Sequence, residues 1–252
     1  MSPPVKTEAL VVRSRAYGEA DKIVTFLTRD HGKLAGIAKG AAKSRRRFVG
    51  SLEPATEIRL TFRSRAQSDL CFVEAAEIIR SRHRLTRDLD RYAYTTYVLE
   101  VLDCMVEGRE AEPAVYDLAR SLLAEIDERE GAPPGAEVLR FFEMRLLTLC
   151  GLEPRLAVCR RCGRPSSESR SARFDPIGGG IACERCENGS GIALSSASLS
   201  ALHELRSASL GNVPVLAGPV AGEVRVLLQT FLQHHVRRPL KSPALLREIL
   251  GI

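Results

Sequence analysis

Apolar and polar residues alternate through much of the first 80 residues. The clearest stretch is Glu57-Ile58-Arg59-Leu60-Thr61-Phe62-Arg63, which puts Ile58, Leu60 and Phe62 on one face and the charged residues on the other. That is the period of a half-buried strand. Thr7–Val12, Ile23–Thr28, Lys33–Ala38 and Leu70–Ile78 add four further apolar or alternating runs. Turn-forming pieces separate them: Tyr17-Gly18-Glu19, Asp30-His31-Gly32 and the stretch 40–54.

From Leu85 the period changes. Leu85, Leu89, Tyr92, Thr96, Leu99, Leu102 and Val106 step by three and four, which predicts an amphipathic helix ended by Gly108. A second helix starts at Pro113 and buries Val115, Leu118, Leu122 and Ile126. A third runs over 136–150 and is capped by Gly151. Three more follow a cysteine-bearing segment: 198–208, 220–235, and a short one from Ser242 with Pro243 in its first turn. The pattern predicts an α+β chain with a five-stranded barrel over residues 1–80 and a helical domain over 81–252. An OB-fold is the commonest nucleic-acid-binding barrel of this size, and an SH3-like barrel fits the alternation nearly as well. No flexible linker marks residue 80, so the two parts are expected to pack together.

Seven cysteines are unevenly placed. Cys71, Cys104 and Cys150 sit in apolar stretches as small core residues. The other four form two CxxC pairs, Cys159/Cys162 and Cys183/Cys186, separated by 20 residues. Two such knuckles at this distance predict a tetrahedral zinc–thiolate site, carried by an insertion at about 156–188. Four thiolates leave no position for water, so one structural zinc ion is expected. Redox pairs or free thiols are the alternatives. Arg160, Arg161, Arg164 and Arg185 surround the knuckles, to contact phosphate or only to keep the segment soluble.

Composition and charge sharpen this picture. A chain of 252 residues with 44% hydrophobic and 27% charged residues is globular in composition. No run approaches the roughly 18 apolar residues of a membrane span, and Met1–Lys6 lacks the apolar run of a signal peptide. A soluble, cytoplasmic protein is expected, without membrane partners. Lys and Arg number 37 against 31 Asp and Glu, unevenly distributed. Residues 1–80 hold 15 basic and 9 acidic residues, 81–153 hold 9 and 15, and 154–252 hold 13 and 7. The densest cationic run is 39–47, where Lys39, Lys43, Arg45, Arg46 and Arg47 lie on a Gly- and Ala-rich loop. Together with Lys33, Arg59 and Arg63, these residues are the candidate phosphate contacts, able to follow a backbone without reading sequence. Tyr17 and Phe48 lie in turns and are candidate base-stackers. The chain has no Walker-type loop, HExxH or GxSxG motif, so no enzyme activity is expected.

Several strings together resemble the RecO family of bacterial recombination mediators. They begin with Val11-Val12-Arg13 and Tyr17-Gly18-Glu19-Ala20-Asp21-Lys22-Ile23-Val24-Thr25. Gly32-Lys33-Leu34, Ala38-Lys39-Gly40-Ala41 and Arg47-Phe48-Val49-Gly50-Ser51-Leu52 follow. Later come Phe142-Glu143-Met144-Arg145-Leu146-Leu147, Gly151-Leu152-Glu153-Pro154, both knuckles and Arg238-Pro239-Leu240-Lys241-Ser242. The chain departs from the family pattern at Glu53, Ala55, Arg46 and Pro243. The resemblance implies an N-terminal OB-fold, a helical domain and a zinc-binding insertion. It also implies binding of single- and double-stranded DNA, annealing of complementary strands, and help in loading RecA. RecR and the single-strand-binding protein are the implied partners, and the nucleoid the implied place of work. The residues alone leave two rivals: an RNA-binding or transcription-associated barrel with a zinc ribbon, and an enzyme whose metal is catalytic and keeps an open position.

Overall fold

The structure is a computed structural model that describes residues 3–44, 46–64 and 68–252. Strand β1 (Val5–Tyr17) pairs antiparallel with two partners, β2 (Asp21–Thr28) and β4 (Glu57–Arg63). Its register with β2 shifts between Val11 and Arg13, a bulge that bends the strand so that it serves both neighbours. From β2 the sheet continues to β3 (Lys33–Ala38), which pairs in parallel with β5 (Leu70–Arg80). β5 then returns antiparallel to β4. The closed order β1-β2-β3-β5-β4 is a five-stranded OB-fold, which decides between the two barrels the alternation allowed.

Gly36 permits the parallel seam. A Cβ there would stand 2.7 Å from Val73 Cγ2 and 2.8 Å from Cys71 Sγ, so any larger residue would push β3 off β5. Val11, Val24, Phe26, Ile58, Leu60, Phe62 and Val73 fill the interior, as the alternation predicts. The loop between β3 and β4 adds Phe48 and Leu52 to the same core, each contributing about 1.5–3 kcal/mol by burial. Glu57 breaks the alternation, because it is buried rather than on the wet face. It meets Arg82, whose guanidinium donates to Glu57 Oε2 at 3.1 Å, to Ala55 O at 2.7 Å and to Arg120 O at 3.4 Å. Burial holds the Arg82 pKa below its usual value, and Glu57 opposes that shift.

The single helix expected from Leu85 is two. α1 (Arg84–Arg87) ends at Asp88, which is extended and caps α2 (Leu89–Met105) by accepting the Arg91 amide at 3.0 Å. α2 is buried on nearly every side, Arg91 included. The Arg91 guanidinium donates to the carbonyls of Ile126, Asp127, Arg129 and Gly131, satisfying the end of α3 (Pro113–Glu128).

The chain divides into two compact units, Met1–Pro133 with Leu240–Ile252, and Pro134–Pro239. The turnover from strands to helices at residue 80 lies inside the first. The second holds α4 (Glu137–Leu149), α5 (Ser196–Ser207) and α6 (Gly218–His235). It also holds a three-stranded antiparallel sheet ordered β7-β6-β8, which the sequence pattern did not predict. Its strands are β6 (Ser171–Asp175), β7 (Gly180–Cys183) and β8 (Ile192–Ser195), with Phe142, Phe174, Leu202 and Leu227 fully buried in this unit. The chain then re-enters the first unit as α7 (Ser242–Leu250), which packs on α2. Glu100 of α2 accepts the Lys241 and Ser242 amides at 2.9 and 2.7 Å, capping α7 from outside. Among the described residues, no helix is long and apolar enough to cross a membrane.

Candidate metal centre and nucleic-acid interface

Backbone pairing brings the two knuckles together. Arg155 pairs with Gly180, the Arg160 amide donates to Ile181 O at 2.8 Å, and the Arg155 amide donates to Gly179 O at 2.9 Å. This zips the segment before the first knuckle onto β7, whose last residue is Cys183. Gly163, at φ +75°, turns the chain after Cys162 and returns its amide to Cys159 O at 2.9 Å.

The four sulfurs of Cys159, Cys162, Cys183 and Cys186 all lie within 4.8 Å of one another. A tetrahedral zinc–thiolate centre with metal–sulfur bonds of about 2.3 Å places its sulfurs about 3.8 Å apart. The Cys162–Cys183 separation of 3.7 Å matches. The set can therefore hold a metal ion, and a purely thiolate set is what soft or borderline divalent ions take. Burial opposes ionisation of Cys159, but the amides of Cys183, Cys162 and Arg161 aimed at its sulfur outweigh it and bring its pKa to about 6. Cys186 goes the other way, pushed up to about 12, first by its hydrogen bond with Cys162 and then by burial and the remaining sulfurs. Four clustered thiols cannot all ionise without a cation among them, whereas a bound divalent ion removes that conflict.

The basic loop is fastened at both ends. The Gly40 amide donates to Asp21 Oδ1 at 2.8 Å, and Lys39 lies 3.5 Å from Asp21 Oδ2. The Gly40 amide foremost holds the Asp21 carboxyl below the usual range; desolvation opposes it and Lys39 adds to it. At the far end Phe48 and Leu52 plug the barrel. Phe48 is thus core rather than a stacking platform, since the apolar barrel end takes its ring; Tyr17 is exposed. The Arg47 guanidinium stands 5.1 Å from the Phe48 ring centroid and donates to Lys39 O at 3.1 Å.

The remaining expected contacts differ in how far they are engaged. Lys43 and Arg46 are exposed and have no acidic partner among the described residues. Arg45 lies outside the described residues. Arg59 pairs with Glu77 at 3.6 Å, and Arg63 pairs with Glu74 across β4 and β5. Exposed pairs like Arg59–Glu77 are worth little and can exchange for a phosphate. Lys33 is already engaged within the protein. Its ammonium donates to Asp103 O at 2.7 Å near the end of α2, where a cation satisfies helix carbonyls. No spacing signal in the sequence marks Lys33 for that internal role.

Two family models match the chain, one on each side of residue 84. The model for the recombination protein O N terminal region matches residues 1–82, and that for the recombination protein O C terminal region matches 86–244. The chain is 37% identical to the DNA repair protein RecO of Anaeromyxobacter dehalogenans (strain 2CP-C), over 97% of this chain and 96% of the relative. It is 35% identical to that of Anaeromyxobacter sp. (strain Fw109-5), over 99% and 98%. It is 34% identical to that of Myxococcus xanthus (strain DK1622), over 93% of each.

Proposed function

The chain belongs to the RecO family of DNA repair proteins, and from that membership we propose that it is a non-enzymatic recombination mediator. It binds single- and double-stranded DNA without sequence preference, anneals complementary strands, and helps RecA onto strands coated with single-strand-binding protein. RecR is its other partner, and it works in the cytoplasm at the nucleoid. The observation that carries this reading is a closed OB-fold whose cationic loop is anchored at both ends, so that charge is presented on a fixed frame.

Lys39, Lys43, Arg45, Arg46 and Arg47 supply the phosphate contacts, with Arg59 and Arg63 on the adjoining strands. Neutralising phosphates of two strands on one protein lowers the repulsion that opposes pairing. Base pairing itself supplies the free energy, so no nucleotide hydrolysis is needed. The four thiolates hold one structural zinc ion, which ties the knuckles together.

The test is annealing of complementary strands coated with single-strand-binding protein, without ATP. The protein should accelerate annealing, and Arg45→Ala/Arg46→Ala/Arg47→Ala should slow it. A protein that binds the strands yet leaves their annealing rate unchanged would overturn the mediator reading. Tighter binding to RNA than to DNA of the same sequence would instead favour an RNA-binding protein.

A further inference from the structure

Between residues 155 and 187 the chain carries seven arginines and four acidic residues. The structure shows which of those charges cancel. Arg160 pairs with Asp175, Arg164 with both Glu168 and Glu184, and Arg173 with Glu187. All four acids are thereby taken by three arginines. Arg155 turns its guanidinium onto Gly178 O. Arg161, Arg170 and Arg185 remain exposed, with no acidic partner among the described residues.

Two of these three occupy equivalent places. Arg161 immediately precedes Cys162 and Arg185 immediately precedes Cys186, the second cysteine of each knuckle. The sulfurs of the two knuckles converge within 4.8 Å, so the backbones bearing both arginines are drawn to one locality. Each knuckle is closed by its own backbone, the Gly163 amide donating to Cys159 O and the Cys186 amide to Cys183 O, both at 2.9 Å. Two exposed guanidinium forks on a rigid base are suited to bidentate contact with phosphate oxygens.

We propose that Arg161 and Arg185 form a second phosphate-binding surface for DNA, on the cysteine-bearing unit and separate from the barrel loop. This rests on the DNA-binding reading above. The competing role for the same residues is to offset the negative charge of a four-thiolate metal centre, and the two roles predict different measurements.

The zinc-loaded protein and its Arg161→Ala/Arg185→Ala variant are titrated onto a labelled oligothymidine across a salt series, with zinc per chain measured on the same samples. Each lost contact to a single strand should reduce the slope of log K against log salt by about 0.7, or about 1.4 for the pair. At about 0.1 M salt that corresponds to binding roughly twentyfold weaker. Arg161→Lys/Arg185→Lys, which keeps both charges, should retain most of the slope. Identical slope and affinity in wild type and Ala variant would overturn the proposal, as would a loss of zinc with unchanged DNA affinity in the chains still loaded. A variant-free arm uses phenylglyoxal, which modifies free guanidinium groups. DNA should protect Arg161 and Arg185 in the unmutated protein, and equal modification with and without DNA would count against the surface. A wild type that binds no DNA at all would fail the underlying reading, a result distinct from a variant that binds as well as the wild type.

Discussion

Arg82 and Glu57 meet with side chains only 1% and 7% exposed, and Tyr116 Oη is 3.5 Å from the other carboxylate oxygen. Removing the cation alone would leave a buried carboxylate without its counter-charge. Arg82→Ala is therefore expected to cost about 3–5 kcal/mol in urea unfolding, while Arg82→Met with Glu57→Leu recovers most of that loss. A single variant as stable as the wild type would show that water reaches the pair. Phe48→Ala should lose about 3–5 kcal/mol as a core truncation. If Phe48 stacked on bases instead, the same change would leave stability intact and weaken DNA binding. Asp21 adds a pH dependence. Its folded pKa is lowered, so its contribution is complete above the unfolded value of about 3.9 and is lost as pH falls through the folded one. Asp21→Asn should remove that part of the acid-induced loosening, as read by hydrogen exchange at the Gly40 amide.

At the scale of elements, strand periodicity was readable, and so were α3 to α7, which lie within about two residues of where the pattern put them. All five barrel strands lie where alternation predicts them, because one face is core and the other is water. β1, β2 and β5 run longer than predicted, since pairing continues past the apolar run. α2 misled in phase: Leu89 and Tyr92, expected on the buried stripe, are exposed, and a helix buried at most other positions has no polar stripe to set its phase. The β7-β6-β8 sheet was missed because its strands of four and five residues are too short to show a period. The cysteine site was legible because ligand spacing is local in sequence. Which arginines beside it are free was not, because Asp175, Glu184 and Glu187 reach them only through the fold. Metal and sheet should depend on each other. Chelation, or Cys183→Ser, is expected to release about one zinc per chain and open residues 155–187 to protease. Thiolate ligands also compete with protons, so zinc should be released as pH falls, with higher pH favouring retention. Protease resistance unaltered after complete zinc removal would show that backbone pairing alone holds the segment.

For the whole molecule, charge runs basic, acidic, basic along the chain, with excesses of six in each segment. DNA affinity should therefore fall linearly with log salt, and the loop variant and the knuckle variant should each flatten that line. Their effects should add if the two surfaces are independent. The path of the chain also bears on how the molecule is made. The last helix, α7, belongs to the first unit and is held there through Glu100 and Ser242, yet the ribosome delivers it after the whole of Pro134–Pro239. Vectorial synthesis therefore presents the unit begun first as the one finished last. A nascent chain stalled just short of Leu240 would carry a finished cysteine-bearing unit and a barrel unit with the α7-binding side of α2 still bare.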